Sequence, residues 1–163
     1  MAGGIEAWAA AGLPTEDDPE LDAAQRRRYD RHVKLAGFGV AGQVAVSRAT
    51  VTIVGAGGLG VPVAQYLAAA GVGTLRIVDP DTVELSNLHR QPVYVMDDLG
   101  RPKVDALTQR LADTNPTIRI EAIEQELGTA NATNLLSGSS LVIDATDRFE
   151  ARYAINDAAQ RLG

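Results

Sequence analysis

Residues 51–60 read Val51-Thr52-Ile53-Val54-Gly55-Ala56-Gly57-Gly58-Leu59-Gly60. The first four side chains are β-branched, which predicts a buried strand, and the glycines predict a tight turn into an apolar helix that ends near Ala70. Asp79 follows Gly60 by about 20 residues, at the end of a second predicted strand. The amides of such a turn can approach phosphate oxygens, and an acid at that position can bind ribose hydroxyls. The pattern therefore predicts a nucleotide site without specifying the nucleotide, formed by Gly55, Gly57, Gly58, Gly60 and Asp79.

Strands and helices alternate along the rest of the chain. We predict strands at about residues 51–54, 74–79, 117–123 and 141–144, and helices at about residues 60–70, 102–114, 130–136 and 150–162. Such alternation implies right-handed crossovers between parallel strands. The expected fold is therefore a Rossmann-like, doubly wound α/β fold, with a mostly parallel sheet, helices on both faces and further helices at the N-terminus.

The segment before the first strand predicts a helix and then a loop. Asp18 and Pro19 fit the cap and first turn of a helix that runs through the basic segment 26–31. A loop is then predicted by three glycines, Gly37, Gly39 and Gly42.

Composition excludes several classes of protein. The net charge is -6, and an acidic chain lacks the basic face that a nucleic-acid binder needs to neutralise phosphates. No segment approaches the roughly 20 apolar residues that span a bilayer, and the first residues lack the pattern of a signal peptide. We therefore expect a cytoplasmic protein that binds neither nucleic acid nor membrane. The sequence has no cysteine, which excludes disulfides, a thiol nucleophile and a thiolate zinc site within these residues.

Positive side chains follow the second predicted strand. Ser86, Asn87 and Arg90 lie in the loop after Asp79, and Lys103 begins the next predicted helix. Two fixed cations beside a phosphate-binding turn suit the triphosphate of ATP, whose leaving pyrophosphate gathers negative charge. A nicotinamide dinucleotide would fit the turn and Asp79 but would not need these cations. From the spacing alone, Arg90 and Lys103 could equally be solvated charges on the surface.

Two acidic residues lie at the end of the fourth predicted strand. Asp144 and Asp147 flank Ala145-Thr146, at the sheet edge where open parallel sheets bind ligands. A carboxylate there can hold Mg²⁺ against phosphates. Capping of the last helix is an equal alternative for either acid alone.

Five ordered motifs resemble those of the MoeB/ThiF adenylyltransferases, which are kin to the ubiquitin-activating enzymes. The resemblance covers about residues 20–163 and rests on the segments 28–31, 55–60, 86–91, 100–103 and 144–147. It implies that the glycine turn and Ser86 contact ATP, that Asp79 binds the ribose, and that Asn87 binds a phosphate. It also assigns catalytic roles to Arg90 and Lys103 as phosphate ligands, to Asp147 as the Mg²⁺ ligand, and to Arg31, which would enter the site of a partner subunit.

The same resemblance implies the reaction and its partners. Such enzymes adenylate the C-terminal Gly carboxylate of a ubiquitin-like sulfur-carrier protein of the MoaD/ThiS type, in molybdopterin or thiamine biosynthesis. A homodimer is expected, with a sulfurtransferase or a cysteine desulfurase as candidate sulfur donors. Family members continue for about as many residues again, and that part supplies the carrier-docking surface and the zinc ligands. We therefore expect a truncated, N-terminal part of the family's ATP-binding domain at residues 20–163.

The first residues resemble a different family. Gly3-Gly4-Ile5-Glu6-Ala7-Trp8 and Gly12-Leu13-Pro14 are similar to the closing helix of rhodanese sulfurtransferase domains. We interpret residues 1–19 as a remnant of such a helix and an acidic linker, with an incidental Ala-rich helix as the alternative.

Two other functions remain open. An NAD-dependent Rossmann oxidoreductase would share the glycine turn and Asp79, although no hydride-transfer site is evident. A non-catalytic nucleotide-binding scaffold would keep the fold and the ligand without the reaction.

Overall fold

The structure is a computed structural model, and it describes residues 21–163. The rhodanese-like segment and the acidic linker, which we assigned to residues 1–19, lie outside the described residues. The chain divides into two compact units between Val44 and Ala45.

The first described helix is shorter than the sequence predicted. Helix α1 spans Ala23–Arg28, and Asp22 is its N-cap residue. The Asp22 carboxylate accepts hydrogen bonds from the backbone N–H groups of Ala24 and Gln25, at 2.7 and 2.8 Å. This cap satisfies donors that a helix start leaves free, so this helix begins at Ala23. The cap and first turn predicted at Asp18 and Pro19 lie outside the described residues. A separate short helix, α2, spans Asp30–Val33.

The loop predicted around the three glycines is largely a helix. Helix α3 spans Gly39–Arg48, so the prediction of a loop was wrong from Gly39 onward. Gly42 lies inside this helix against the Phe38 ring, where a Cβ would come within 2.7 Å of a ring carbon. The glycine is therefore used for close packing, and the helix continues through it despite its low helix propensity.

The second unit confirms the predicted α/β order. Strands and helices alternate as β1 (Thr50–Val54), α4 (Gly60–Ala70), β2 (Thr74–Val78), α5 (Lys103–Thr114), β3 (Arg119–Ile123), α6 (Ala132–Leu136), β4 (Leu141–Asp144) and α7 (Phe149–Leu162). Gly71 ends α4 in the left-handed conformation, with φ 84°, as its position predicted. The long connection from β2 to α5 contains two 3₁₀ turns, Leu85–Asn87 and Met96–Asp98.

All four strands are parallel, in the order β3-β2-β1-β4. The chain moves from β1 to β2 to β3 in one direction, and then crosses back to place β4 on the other side of β1. Right-handed crossovers therefore put α4 and α5 on one face of the sheet and α6 and α7 on the other. The order reverses between β1 and β4, which is where open α/β sheets bind ligands.

Two apolar clusters hold these layers together. The larger cluster joins β1 and β2 to α4 and α5, and includes Ile53, Leu75 and Leu107. The smaller cluster joins the ends of β1 and β2 to α6 and α7, and includes Val54 and Ile155. Within residues 21–163, no helix is long and apolar enough to cross a membrane.

Candidate functional site

A cleft of about 480 Å³ lies at the carboxyl ends of β1, β2 and β4. It occupies the point where the strand order reverses, as expected for this topology. Seven of the predicted site residues line it, namely Gly55, Gly57, Gly58, Asp79, Arg90, Lys103 and Asp147. The topology thus brings together side chains that are far apart in the sequence.

The glycine turn presents unpaired backbone donors at this cleft. Among residues 21–163, the N–H groups of Gly57, Gly58 and Leu59 donate no hydrogen bond, while the N–H of Val61 bonds to the Gly57 carbonyl at 3.0 Å. Free N–H groups at the start of a helix carry partial positive charge and favour an anion. The turn is therefore chemically suited to phosphate oxygens.

The glycines of this turn have two different roles. Gly55 has φ 106°, and a Cβ on Gly60 would lie 1.8 Å from the Gly55 carbonyl oxygen. These two positions require glycine for the fold itself. A Cβ on Gly57 or Gly58 would meet only ordinary contacts, at 3.7 Å from Gln91 and 3.6 Å from Arg90. The fold does not require glycine there, so the open space is available to a ligand.

The Asp79 carboxylate connects the end of β2 to the turn after β1. One oxygen accepts a hydrogen bond from the Ala56 N–H at 2.6 Å, and the other accepts one from the Asp81 N–H at 2.8 Å. Burial raises the pKa of Asp79, whereas these two hydrogen bonds and the Lys103 charge act to lower it. The side chain is 6% exposed and still lines the cleft, where its remaining lone pairs can accept ribose hydroxyls.

Lys103 is buried and is held in a fixed position by an ion pair. Its side chain is 7% exposed, and its Nζ lies 2.7 Å from Asp81 Oδ2. This geometry excludes the alternative of a solvated surface charge for Lys103. The ammonium group has three donors, so the ion pair with Asp81 leaves two that can reach a ligand in the cleft.

Arg90 is exposed, and its backbone segment holds it at the cleft. Its guanidinium donates to the Ser86 carbonyl at 2.9 Å. Ser86 and Asn87 do not line the cleft. Asn87 is buried, and its side-chain oxygen accepts a hydrogen bond from the Glu84 N–H at 3.3 Å, which stabilises the 3₁₀ turn that precedes Arg90. Direct contact of Ser86 and Asn87 with a ligand stays a prediction.

Asp144 and Asp147 have different environments. Asp144 accepts hydrogen bonds from the N–H and the hydroxyl of Thr146, at 2.9 and 2.7 Å, and Arg152 lies 3.8 Å from it. Asp147 is exposed and forms no hydrogen bond or ion pair within residues 21–163. Neither acid caps the last helix, since Arg148 is the N-cap residue of α7. Asp147 is therefore the carboxylate that is available to a cation.

The described part of the chain contains no cluster of three or more His, Asp or Glu side chains that could hold a metal ion by itself. A single carboxylate is consistent with Mg²⁺, which is usually held by one or two carboxylates together with substrate phosphates. Arg31 lies on α2 in the other unit and is exposed.

Sequence reasoning missed two polar groups near the turn. The Tyr94 hydroxyl donates to the Ala56 carbonyl at 2.9 Å. Gln91 lines the cleft, and its buried Oε1 has no hydrogen-bond partner among the described residues. Gln91 had a signal, since it belongs to the motif 86–91, but the contact of Tyr94 with a carbonyl 38 residues away has none in the sequence.

Together, the parallel sheet and the cleft define a Rossmann-like protein with unpaired amides and two cationic side chains at one cleft, a set that is chemically suited to an anion. The chain belongs to the ThiF family, whose model matches residues 29–163.

The chain resembles several curated relatives. It is 50% identical over 136 residues to the sulfur carrier protein adenylyltransferase of Thermus thermophilus, covering 83% of this chain and 50% of that protein. It is 44% identical to the SAMP-activating enzyme E1 of Haloferax volcanii, covering 88% of this chain and 53% of the relative. It is 45% identical to the probable adenylyltransferase/sulfurtransferase MoeZ of Mycobacterium tuberculosis, covering 94% and 40%. The chain thus spans about half the length, or less, of these relatives.

Solved structures agree with this assignment. The tRNA N6-threonylcarbamoyladenosine dehydratase TcdA of E. coli, solved in complex with ATP, superposes with a TM-score of 0.80 at 28% identity, covering 86% of this chain and 57% of TcdA. The E. coli protein MccB, solved with ATP, superposes with a TM-score of 0.73 at 27% identity, covering 82% and 41%.

Proposed function

We propose that the cleft binds ATP with Mg²⁺, and that the protein adenylates the C-terminal Gly carboxylate of a ubiquitin-like sulfur-carrier protein. The observation that carries this proposal is the combination of unpaired amides at Gly57 and Gly58 with the cations Arg90 and Lys103 at one cleft. Such a set matches a polyphosphate better than it matches a neutral ligand.

Each group has a distinct role in this proposal. The turn amides bind phosphate oxygens and Asp79 accepts the ribose hydroxyls. Arg90 and Lys103 neutralise the β- and γ-phosphates, and Ser86 and Asn87 support the loop that carries Arg90. Mg²⁺, when bound by Asp147 and the phosphates, supplies further charge neutralisation.

The reaction needs no nucleophile from the protein. The carrier's carboxylate is ionised at neutral pH and attacks the α-phosphorus of ATP, so that a new C–O–P linkage forms as the bond to pyrophosphate breaks. The products are an acyl-adenylate and pyrophosphate. The protein contributes in-line positioning and stabilisation of the charge that develops on the leaving group.

The relatives favour this proposal over the NAD-dependent alternative. The curated relatives described above have adenylyltransferase or activating-enzyme names, and two structural neighbours were solved with ATP. The buried Lys103, which lines the same cleft as the turn, also fits a triphosphate.

The wider setting belongs to the same proposal. We place residues 20–163 as the ATP-binding domain of a cytoplasmic homodimer, in which Arg31 of one subunit serves the site of the other. The sulfur donor to the activated carrier would be a sulfurtransferase or a cysteine desulfurase, and the rhodanese-like residues 1–19 are consistent with a link to such chemistry.

Ligand-dependent protection against thermal unfolding tests the nucleotide. ATP with Mg²⁺ at 100 times its Kd should stabilise the chain by about 2.7 kcal/mol, whereas NAD should not. Protection by NAD alone would overturn the proposal. ATP–pyrophosphate exchange that depends on an added sulfur carrier then tests the reaction, and binding without any exchange would favour the non-catalytic scaffold.

A further inference from the structure

The Ala56 backbone is held on both sides by buried side chains. Its N–H donates to Asp79 at 2.6 Å, and its carbonyl accepts the Tyr94 hydroxyl at 2.9 Å. These two contacts fix the residue that immediately precedes Gly57, whose own N–H is unpaired within residues 21–163.

The Tyr94 hydroxyl is itself held in place. Its side chain is 3% exposed and belongs to the larger apolar cluster. Burial raises the pKa of Tyr94, and the charges of Asp79 and Asp98 raise it further, so the hydroxyl keeps its proton and remains a donor. Asp98 pairs with Arg101 at 2.7 Å and Arg110 at 3.1 Å, and the hydroxyl donates its proton to the Ala56 carbonyl.

The geometry of a peptide bond carries this contact to the cleft. The bond between Ala56 and Gly57 is trans, as is every peptide bond in the described residues. In a trans peptide, the carbonyl and the following N–H point in opposite directions. Tyr94 is not part of the cleft lining, whereas Gly57 is. Holding the Ala56 carbonyl toward Tyr94 therefore turns the Gly57 N–H away from the core, on the side of the cleft.

We propose that Tyr94 is a positioning residue, which orients the Gly57 amide toward the phosphates of the bound nucleotide. This inference rests on the proposed binding of ATP in the cleft. Without the hydroxyl, the Ala56 carbonyl loses its donor and the Ala56–Gly57 peptide can rotate. The energetic loss should then appear in contacts with phosphate, while contacts with the nucleoside are retained.

Tyr94→Phe removes only the hydroxyl, and the test compares the binding of ATP and adenosine by calorimetry with the 163-residue chain. We expect the Kd for ATP to rise about 5-fold, which corresponds to one hydrogen bond, while the Kd for adenosine changes less than about 2-fold. Thr52→Val is the matched control, because it also removes a hydroxyl contact of a buried residue, to Ser139 at 2.7 Å. Thr52 lies on β1, the strand that leads to Ala56, but outside the cleft. This variant should lower the unfolding temperature and leave the ratio of the two Kd values unchanged.

The outcomes separate this inference from the proposed function. If the unchanged chain binds ATP and Tyr94→Phe alters the two Kd values equally, or alters neither, Tyr94 only supports the fold and the inference is wrong. If the unchanged chain does not bind ATP, the proposed function fails and the inference fails with it. Should Tyr94→Phe not fold, NMR of the unchanged chain decides. We expect ATP to shift the Gly57 amide resonance and adenosine to leave it unchanged. An equal shift by both ligands would overturn the inference.

Discussion

Lys103 Nζ lies 2.7 Å from Asp81 Oδ2, and the two side chains differ sharply in exposure, at 7% for Lys103 and 62% for Asp81. The exposed carboxylate thus holds a buried ammonium group in the lining of the cleft. Because Asp81 keeps contact with water, it does not require Lys103 for its solvation. The ion pair therefore serves to fix the cation beside the site rather than to satisfy a buried acid.

Lys103→Met tests this role. The methionine retains much of the apolar stem, so the fold should persist, while ATP affinity should fall about 10-fold or more through loss of charge-assisted hydrogen bonds. Lys34 is the only other lysine in the sequence and also lies 2.7 Å from an aspartate, Asp30, but on an exposed surface. Lys34→Met is the matched control and should leave ATP affinity unchanged. Equal affinities for both variants, measured by calorimetry, would contradict a phosphate-binding Lys103.

Gly58→Val should weaken ATP binding without unfolding the protein. A Cβ at Gly58 would meet only the Arg90 carbonyl oxygen, at 3.6 Å, so the empty turn tolerates a side chain that then blocks the approach of phosphate. We expect at least about a 10-fold rise in the Kd for ATP, since phosphate contacts to the turn amides are lost. Gly128→Val is the control, because a Cβ there meets nothing within 4 Å and the residue lies outside the cleft. If a folded Gly58→Val variant binds ATP normally, the turn does not hold phosphate.

Asp79 predicts a particular dependence of stability on pH. Burial raises the pKa of Asp79 above the ordinary aspartate value of 3.8. The folded chain therefore binds a proton on this carboxylate more tightly than the unfolded chain does. Its contribution to stability is complete below pH 3.8 and is lost as the pH rises through the higher pKa of the folded state. In denaturant titrations, the free energy of unfolding of the unchanged chain should therefore fall relative to Asp79→Asn across that window. A constant difference between the two chains would show that Asp79 does not titrate as proposed.

The sequence predicted most of the fold because its signals are local. The β-branched run at 51–54, the glycine turn and the stop at Gly71 each identify an element from neighbouring residues. Helix α3 was missed since Gly39 and Gly42 suggest a loop, and only the contact of Gly42 with Phe38 explains a glycine within a helix.

The candidate site was only partly accessible to the same reasoning. Asp79 and Asp147 could be placed because parallel strands bring their carboxyl ends to one edge. The burial of Lys103 and its pairing with Asp81 depend on how α5 packs against the loop after β2, which spacing does not encode. The Tyr94 contact was missed for a related reason, since its acceptor is a backbone carbonyl that any residue type could provide.

Asp147→Asn should abolish Mg²⁺-dependent adenylation in a chain that contains residues 1–163 and performs turnover. The amide keeps the shape of the side chain but loses the charge that attracts the cation, so we expect a loss of pyrophosphate exchange of about 100-fold or more. Because Asp147 has no partner within residues 21–163, the unfolding temperature should not change. Asp157→Asn, which alters an exposed acid on α7, is the control. Normal exchange by Asp147→Asn would remove this residue from the mechanism.

Arg31 should act on the active site of the partner subunit. Such a cation stabilises charge on the phosphates only when the second subunit is bound, so a monomer should bind ATP and react slowly. In a chain that performs turnover, Arg31→Ala and Asp147→Ala homodimers should each be nearly inactive. Their mixed dimer combines an intact Asp147 with an intact Arg31 from the other chain, so one working site, and about half of the normal exchange rate per dimer, should return. Arg27→Ala is the control for the loss of any arginine, since it alters an exposed arginine of α1. Its homodimer should already be active without mixing. If verified mixed dimers remain as inactive as their parents, Arg31 does not act across the dimer.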